Sequence, residues 1–166
     1  MKWHIIVDKW GTVGDGRGAQ NTMLIGEYIH TIDEKNRVSL PARFRGELGK
    51  RVVLAPGLDG SIFMFSPGEW EKISSRLGEN SMLSADNRSF NRFMFGGAHE
   101  VDVDSAGRIL IPDFLKSRAK LSGKVAVIGV QNRAEIWNER AWAKYKAGVE
   151  GQAESLAEKL GSVGAL

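Results

Sequence analysis

Cysteine is absent from the 166 residues of this chain. This absence excludes disulfides, thiolate metal sites, cysteine-ligated iron–sulfur clusters and cysteine nucleophiles, and it is typical of a protein of the reducing cytoplasm, where we expect this one to reside. Histidine is scarce as well: the three residues are widely separated and have no carboxylates at ligand spacing. We therefore expect no metal site and no cofactor.

Long apolar segments are also missing. No stretch approaches the roughly 18 consecutive apolar residues of a membrane helix, so we expect no membrane span. The first apolar cluster, residues 3–7, is too short for the core of a signal peptide. It is followed by a glycine-rich run, residues 11–18, that cannot bury enough surface to offset the entropy lost on ordering. We interpret residues 1–22 as a disordered N-terminal extension and Met23 as the native start.

The net charge is only +3, but the basic residues are unevenly distributed. Residues 33–51 contain six Lys/Arg and three Asp/Glu, and residues 104–124 contain five and two. The intervening segment 66–99 contains four of each. Two separate basic segments indicate a surface for a polyanion, although ordinary solvated faces explain the same pattern equally well.

The most informative feature is an internal repeat at a spacing of 71 residues. Segments 26–41 and 97–112 share Gly, Asp, Arg and Pro at equivalent positions, together with three apolar positions. Further along, at a spacing of 72, Trp70 is repeated as Trp142. We expect these tryptophans to pack in the core and not to stack on bases.

Each copy predicts a β-hairpin with a tight turn. Asp33 and Asp104 stand at the first position of a type I turn, where the carboxylate accepts a backbone hydrogen bond. Asn36 and Gly107 follow at the point where a left-handed residue closes a three-residue loop with a bulge. We predict that these four residues shape the turns.

The same order of elements is predicted in both copies: hairpin, short helix, two strands, helix. In the first copy the predicted segments are 28–32, 37–40, 42–48, 52–55, 62–65 and 68–77. In the second copy they are 99–103, 108–111, 113–121, 125–130, 134–137 and a helix from 139 to about 160 that breaks at Gly148 or Gly151. A further helix is predicted over residues 85–95. Because an isolated hairpin is marginal in water, we expect the two copies to interlock around a shared core. This pairing predicts a closed or half-open β-barrel with pseudo-twofold symmetry.

The doubled pattern Asp-x-x-x-Arg, an apolar triplet and Pro resembles the MraZ family. It stands at residues 33–41 and 104–112, with Ser39 interrupting the first triplet. The similarity covers Met23 to about Ala147, and the flanking segments that also resemble the family are residues 23–28, 41–45 and 133–137.

The resemblance implies an α+β, β-rich fold in which tandem AbrB-like swapped-hairpin motifs form one pseudo-twofold β-barrel with flanking helices. The implied organisation is SpoVT-AbrB-like domains at 27–73 and 98–141, a linking helix region at 74–97 and a C-terminal helix or tail at 142–166. The implied function is a regulator, usually a repressor, of the division and cell-wall gene cluster. Such a protein binds tandem repeats of double-stranded promoter DNA as a homo-oligomeric ring in the cytoplasm and nucleoid.

In that family the hairpins carry the DNA contact, which implies that Arg37 and Arg108 contact bases or phosphates. Arginine can donate two parallel hydrogen bonds to guanine. The alternative for Arg37 is an ion pair with Asp33 that only fixes the loop. Lys35, in the exposed loop, is predicted to contact phosphate. Because Ala106 occupies the equivalent position of the second copy, the first hairpin is favoured for DNA.

Arg43 and Arg45, on the short helix, are also predicted phosphate contacts, and contact with a neighbouring protomer is the alternative. No group of residues supports catalysis, so we expect no enzyme activity. The alternative function on the same fold is a protein-interaction module, antitoxin-like or enzyme-modulating, in which residues 148–166 dock a partner.

Overall fold

The structure is a computed structural model that describes residues 23–165. The interpretation of residues 1–22 as an extension lies outside the described residues. The first repeat consists of β1 (Leu24–Thr31), β2 (Arg37–Ser39), α1 (Ala42–Leu48), β3 (Arg51–Pro56), β4 (Ile62–Phe65) and α2 (Pro67–Gly78). The connecting helix is α3 (Ala85–Gly96). The second repeat consists of β5 (His99–Asp102), β6 (Arg108–Leu110), α4 (Asp113–Arg118), β7 (Lys124–Gln131), β8 (Ala134–Asn138) and α5 (Glu139–Glu150), and α6 (Ala153–Ser162) follows it.

These elements agree with the predicted order, and differences are confined to their ends. Strand β1 begins at Leu24, earlier than predicted. The predicted C-terminal helix is broken at Gly151, the second of the two glycines proposed for the break, and α6 starts at Ala153.

Side-chain caps start the longer helices. Ser66, Ser84 and Asn138 each accept a hydrogen bond from a backbone N–H in the first turn of α2, α3 and α5. The two short helices begin directly after Pro41 and Pro112. No helix in the described part of the chain is both long and apolar enough to span a membrane.

The sheets exchange strands between the repeats. The larger sheet is antiparallel, with the order β1-β7-β8-β4-β3-β5, and β2 pairs with β6 in a separate two-stranded sheet. The edge strand of each repeat therefore pairs with the other repeat, β1 with β7 and β5 with β3. Replacing every strand by its counterpart gives the same order read from the opposite edge, so the arrangement has pseudo-twofold symmetry. On the pseudo-twofold axis, residues pair with their own counterparts. Val38 pairs with Ile109, and Phe63 pairs with Glu135.

Of the closed and half-open barrels that the sequence allowed, the closed one is wrong, because the large sheet is open. Strands β1 and β5 are its edges, and no ladder joins them within residues 23–165. Strand β1 is linked to β2 by a single bridge, between Ile32 and Val38. Strands β2 and β6 have three residues each and form a separate ladder with each other, and the bridge at Val38 is not extended into a ladder with β1. The fold is therefore a mixed α/β arrangement around an open antiparallel sheet.

The main core lies between the large sheet and a layer formed by the two-stranded sheet, α1 and α4. Its fully buried residues include Val38, Phe44, Ile109 and Leu115. The opposite face of the large sheet is covered by α2 and α3 at one end and by α5 at the other. Trp70 and Trp142 pack in these outer clusters, in agreement with the core role predicted for them.

Candidate nucleic-acid interface

The two hairpins have the same hydrogen-bonded turn. In the first, the amide of Asn36 donates to the carbonyl of Asp33 at 3.0 Å, and the amide of Asp33 donates to the carbonyl of Arg37 at 2.9 Å. The equivalent bonds of the second hairpin are both 2.9 Å. Asn36 and Gly107 have φ angles of 58° and 75°, in the left-handed region. Each loop is therefore a short, fully bonded bend.

Each turn is held by both oxygens of its aspartate. Oδ1 of Asp33 accepts from the backbone amides of Lys35 and Arg37 at 2.9 and 2.8 Å. Oδ2 accepts from Nε of Arg37 at 2.8 Å and lies 2.8 Å from its Nη2. In the second hairpin, Asp104 accepts from the backbone amide and Nε of Arg108 at 2.9 and 2.8 Å. Carboxylate and guanidinium are therefore fixed relative to the loop.

These contacts lower the pKa of both carboxyl groups below the ordinary aspartate value. The largest cause is the hydrogen bond from the backbone N–H of Arg37 for Asp33, and of Arg108 for Asp104. The ion pair with the guanidinium acts in the same direction, and burial opposes it. Both aspartates are consequently ionised at neutral pH.

Arg37 and Arg108 lie on the outer face of the two-stranded sheet. Their neighbours Val38 and Ile109 are buried, and side chains alternate along a strand, so both arginines face away from the core. In the antiparallel register they occupy diagonal positions, with Cβ atoms roughly 7 Å apart. Their side chains are 31% and 34% exposed. The fold thus brings both predicted arginines to one surface.

Arg37 forms an ion pair with Asp33, which was the alternative to a base contact predicted for this residue. The pair uses Nε and Nη2 of the guanidinium. A guanidinium has five N–H donors, so two bonds to the carboxylate leave three for another acceptor. Fixing the loop and offering donors to a ligand are therefore compatible in this geometry.

The tip of the first hairpin is bound to the other repeat. Nδ2 of Asn36 donates to Oδ1 of Asp113 at 2.6 Å, and Nζ of Lys116 donates to Oδ1 of Asn36 at 2.6 Å. The carbonyl of Asn36 accepts from the amide of Ile111 at 2.8 Å. Lys35 is exposed beside this contact.

Arg43 and Arg45 do not share a face of α1. Nε of Arg45 donates to the carbonyl of Leu40 at 3.1 Å, and its guanidinium lies so close to Gly107 that an added Cβ would overlap it. Arg43 instead lines a groove that Ile25, at the start of β1, also lines. The separation follows from helix geometry, since successive residues are rotated by about 100°. Arg45 therefore joins the second hairpin, and Arg43 lies apart from both.

The sequence analysis did not predict Lys116 as a residue of this interface. It stands four residues after Pro112, as Arg45 stands four residues after Pro41, so the repeat spacing of 71 was the signal that could have found it. A metal centre has no basis in the described residues, where no group of three His, Cys, Asp or Glu could hold an ion.

Two segments of the chain, residues 23–93 and 94–161, match the family described as "MraZ protein, putative antitoxin-like". The chain belongs to the MraZ family. The resemblance of the doubled Asp-x-x-x-Arg motif is thereby confirmed.

Curated relatives agree over most of the chain. The Transcriptional regulator MraZ of Thermoanaerobacter pseudethanolicus (strain ATCC 33223 / 39E) is 46% identical over 138 residues, which are 83% of this chain and 96% of that protein. The Transcriptional regulator MraZ of Caldicellulosiruptor saccharolyticus (strain ATCC 43494 / DSM 8903 / Tp8T 6331) is 44% identical over 142 residues, 86% of this chain and 99% of that protein. These MraZ relatives are named for transcriptional regulation and not for an enzyme activity.

Proposed function

We propose that this MraZ-family chain is a sequence-specific DNA-binding transcriptional regulator, usually a repressor, of the division and cell-wall gene cluster. It binds tandem promoter repeats in double-stranded DNA as a homo-oligomeric ring, in the cytoplasm at the nucleoid. The observation that carries the proposal is the pair of arginines, Arg37 and Arg108, side by side on the outer face of the two-stranded sheet.

A two-stranded ribbon of this kind fits the major groove of DNA. Arg37 contacts base edges or phosphate through the donors that Asp33 leaves free, and Lys35 contacts phosphate from the loop. Because the ion pair already holds the guanidinium, little side-chain freedom remains to be lost on binding. Arg108 and Arg45 contribute from the second hairpin, whose loop lacks the lysine.

Affinity for repeated sites comes from the ring. A few phosphate contacts from one hairpin bind weakly and are strongly screened by salt. Linked protomers that engage several repeats at once gain roughly 10²–10⁴-fold without new contacts. DNA with several repeats should therefore bind far more tightly than DNA with one.

The experiment is a binding titration on DNA from upstream of the chain's own gene, with footprinting to locate the repeats. Arg37→Ala should abolish specific binding while the oligomer, measured by light scattering, stays intact. Arg37→Lys keeps the charge but not the planar fork, so it should retain only weak, sequence-independent binding. Arg140→Ala, an exposed arginine on α5, is the matched control and should bind as wild type.

Wild-type affinity in Arg37→Ala would remove this residue from the interface. Equal affinity for one repeat and for several would contradict the multivalent mechanism.

A second candidate, the protein-interaction module, is favoured by the C-terminal region. No residue of α6 is buried, and Tyr145, Val149 and Leu156 line a groove of about 480 Å³ between α5 and α6. A partner docked there would be lost on deletion of residues 152–166, whereas the promoter binding of the hairpins would persist. A truncated chain that loses DNA binding but keeps its fold would favour a role of α6 in assembly instead.

A further inference from the structure

Lys116 belongs to the second repeat but lies at the tip of the first hairpin. Its Nζ is 2.6 Å from Oδ1 of Asn36, a residue 80 positions earlier in the chain. Asp113 orients the side-chain amide of Asn36, because Oδ1 of Asp113 accepts a hydrogen bond from Nδ2 of Asn36 at 2.6 Å. The carbonyl oxygen of the amide is therefore the atom that faces the ammonium group.

The opposite hairpin has the mirror relationship. Arg45 of the first repeat lies over Gly107 at the tip of the second hairpin. The two contacts use different side chains at equivalent positions. At the tip of the first hairpin, the side-chain amide of Asn36 fills the space and accepts a hydrogen bond from Lys116. At the tip of the second, where the residue is Gly107, the guanidinium itself fills the space. In both cases a basic residue from one repeat is placed at the hairpin of the other.

In the described residues, 23–165, no carboxylate forms an ion pair with Lys116. Its Nζ donates to Oδ1 of Asn36 instead. An ammonium group has three N–H donors, and the bond to Asn36 uses one. Two donors and a full positive charge thus remain beside the loop that contains Lys35.

We propose that Lys116 contacts a DNA phosphate as part of the first hairpin's surface, and that Asn36 positions it there. Each DNA-contacting surface is then built from both repeats, with Lys116 completing the first hairpin and Arg45 the second. The inference rests on the proposed DNA-binding function and extends it to a residue of α4. A phosphate is the expected acceptor because a lysine ammonium binds it as a point charge, without the planar geometry needed to read a base.

The test compares Lys116→Met with wild type in promoter-repeat binding, measured by fluorescence anisotropy over a series of salt concentrations. Methionine keeps the length of the apolar stem and removes the charge. Losing one phosphate contact should lower affinity several-fold at low salt and reduce the slope of log K against log salt by about one unit. Lys116→Arg should restore both. Lys159→Met, an exposed lysine on α6, is the matched control and should change neither.

Asn36→Gly tests the positioning role. Glycine tolerates the left-handed backbone of this position but lacks the amide. Affinity should fall in this variant, and Asn36→Gly should add nothing once Lys116→Met is present, because Asn36 acts through Lys116. Thermal unfolding of each variant separates loss of contact from loss of fold.

Wild-type affinity and salt slope in Lys116→Met, with binding lost in Arg37→Ala, would overturn this inference and leave the proposed function standing. Reduced affinity with an unchanged salt slope, or without rescue by arginine, would also overturn it, because a structural defect behaves in that way. Failure of the wild-type protein to bind its upstream DNA would overturn both.

Discussion

Arg45 of α1 lies over Gly107, at the tip of the second hairpin, so a side chain there would displace its guanidinium. Gly107 also has a φ of 75°, so two independent constraints act on one residue. The first hairpin lacks this arrangement, since Asn36 occupies its tip and binds α4. The two halves of the chain therefore interlock by different chemistry at equivalent points.

Gly107→Ala should destabilise the protein by more than the backbone conformation alone explains. A left-handed alanine costs about 1–2 kcal/mol, and overlap with Arg45 adds to it. Gly60→Ala is the matched control, because Gly60 has a φ of 87° with open space around its Cα. Urea unfolding of both variants gives the comparison. Equal losses would mean that Arg45 moves aside without cost.

Acid should weaken the hairpins. The backbone N–H of Arg37 and its ion pair lower the pKa of Asp33 in the folded state, and Asp104 is affected in the same way by Arg108. The unfolded chain then binds more protons than the folded chain at acid pH. The stabilisation is present above the ordinary aspartate pKa of about 3.9, and it is lost as the pH falls through the lower, folded pKa.

The measurement is the free energy of unfolding between about pH 6 and pH 2. The double variant Asp33→Asn, Asp104→Asn should be less stable at neutral pH and should show a flatter dependence in the acid range. An unchanged pH dependence in that variant would contradict the assignment to these two carboxyl groups.

His30 should make a second, separate contribution. Burial lowers its pKa in the folded protein, and the nearby charge of Arg45 lowers it further. A lowered histidine pKa means that the unfolded chain takes up the proton first, so stability should decrease as the pH falls below the ordinary value of about 6.5. His30→Gln should flatten unfolding free energies between about pH 7.5 and pH 5.5. A slope identical to wild type would assign that window to another group.

Deleting residues 152–166 should leave the fold intact. Every residue of α6 is exposed, so its removal takes no side chain from the core and should lower the free energy of unfolding only slightly. The comparison is a deletion of residues 141–166, which also removes Trp142 and Tyr145 from their packing on Trp137 at 5.4 and 5.0 Å. That longer deletion should be strongly destabilising, and similar effects of both would refute the distinction.

The tight turns, strands and helices were predictable from the sequence because their signals are local. The repeated Asp at the turn, the left-handed Asn36 or Gly107 and the proline after β2 and β6 each act within a few residues. The duplication made these signals easier to recognise, because a residue pattern found in both copies rarely arises by chance. The family followed from the same repeated residues.

The open sheet and the cross-repeat contacts depend on long-range geometry. Closing the barrel requires one ladder between β1 and β2 and another between β5 and β6, and no local pattern specifies that both are missing. Arg43 and Arg45 look alike in sequence, yet the rotation of α1 sends one toward Gly107 and the other toward the groove that Ile25 lines. Lys116 was not predicted because its hydrogen-bond partner Asn36 is 80 residues earlier in the sequence.

The exchange of β1 and β5 between repeats has a consequence for synthesis. The partner of β1 is β7, which leaves the ribosome about a hundred residues after it. Until then the nascent first half has an unpaired strand, Leu24 lacks the core that buries it in the folded protein, and the half cannot complete its own sheet. The large sheet is therefore completed only late in synthesis, and two unfinished copies on one messenger are able to trade strands with each other.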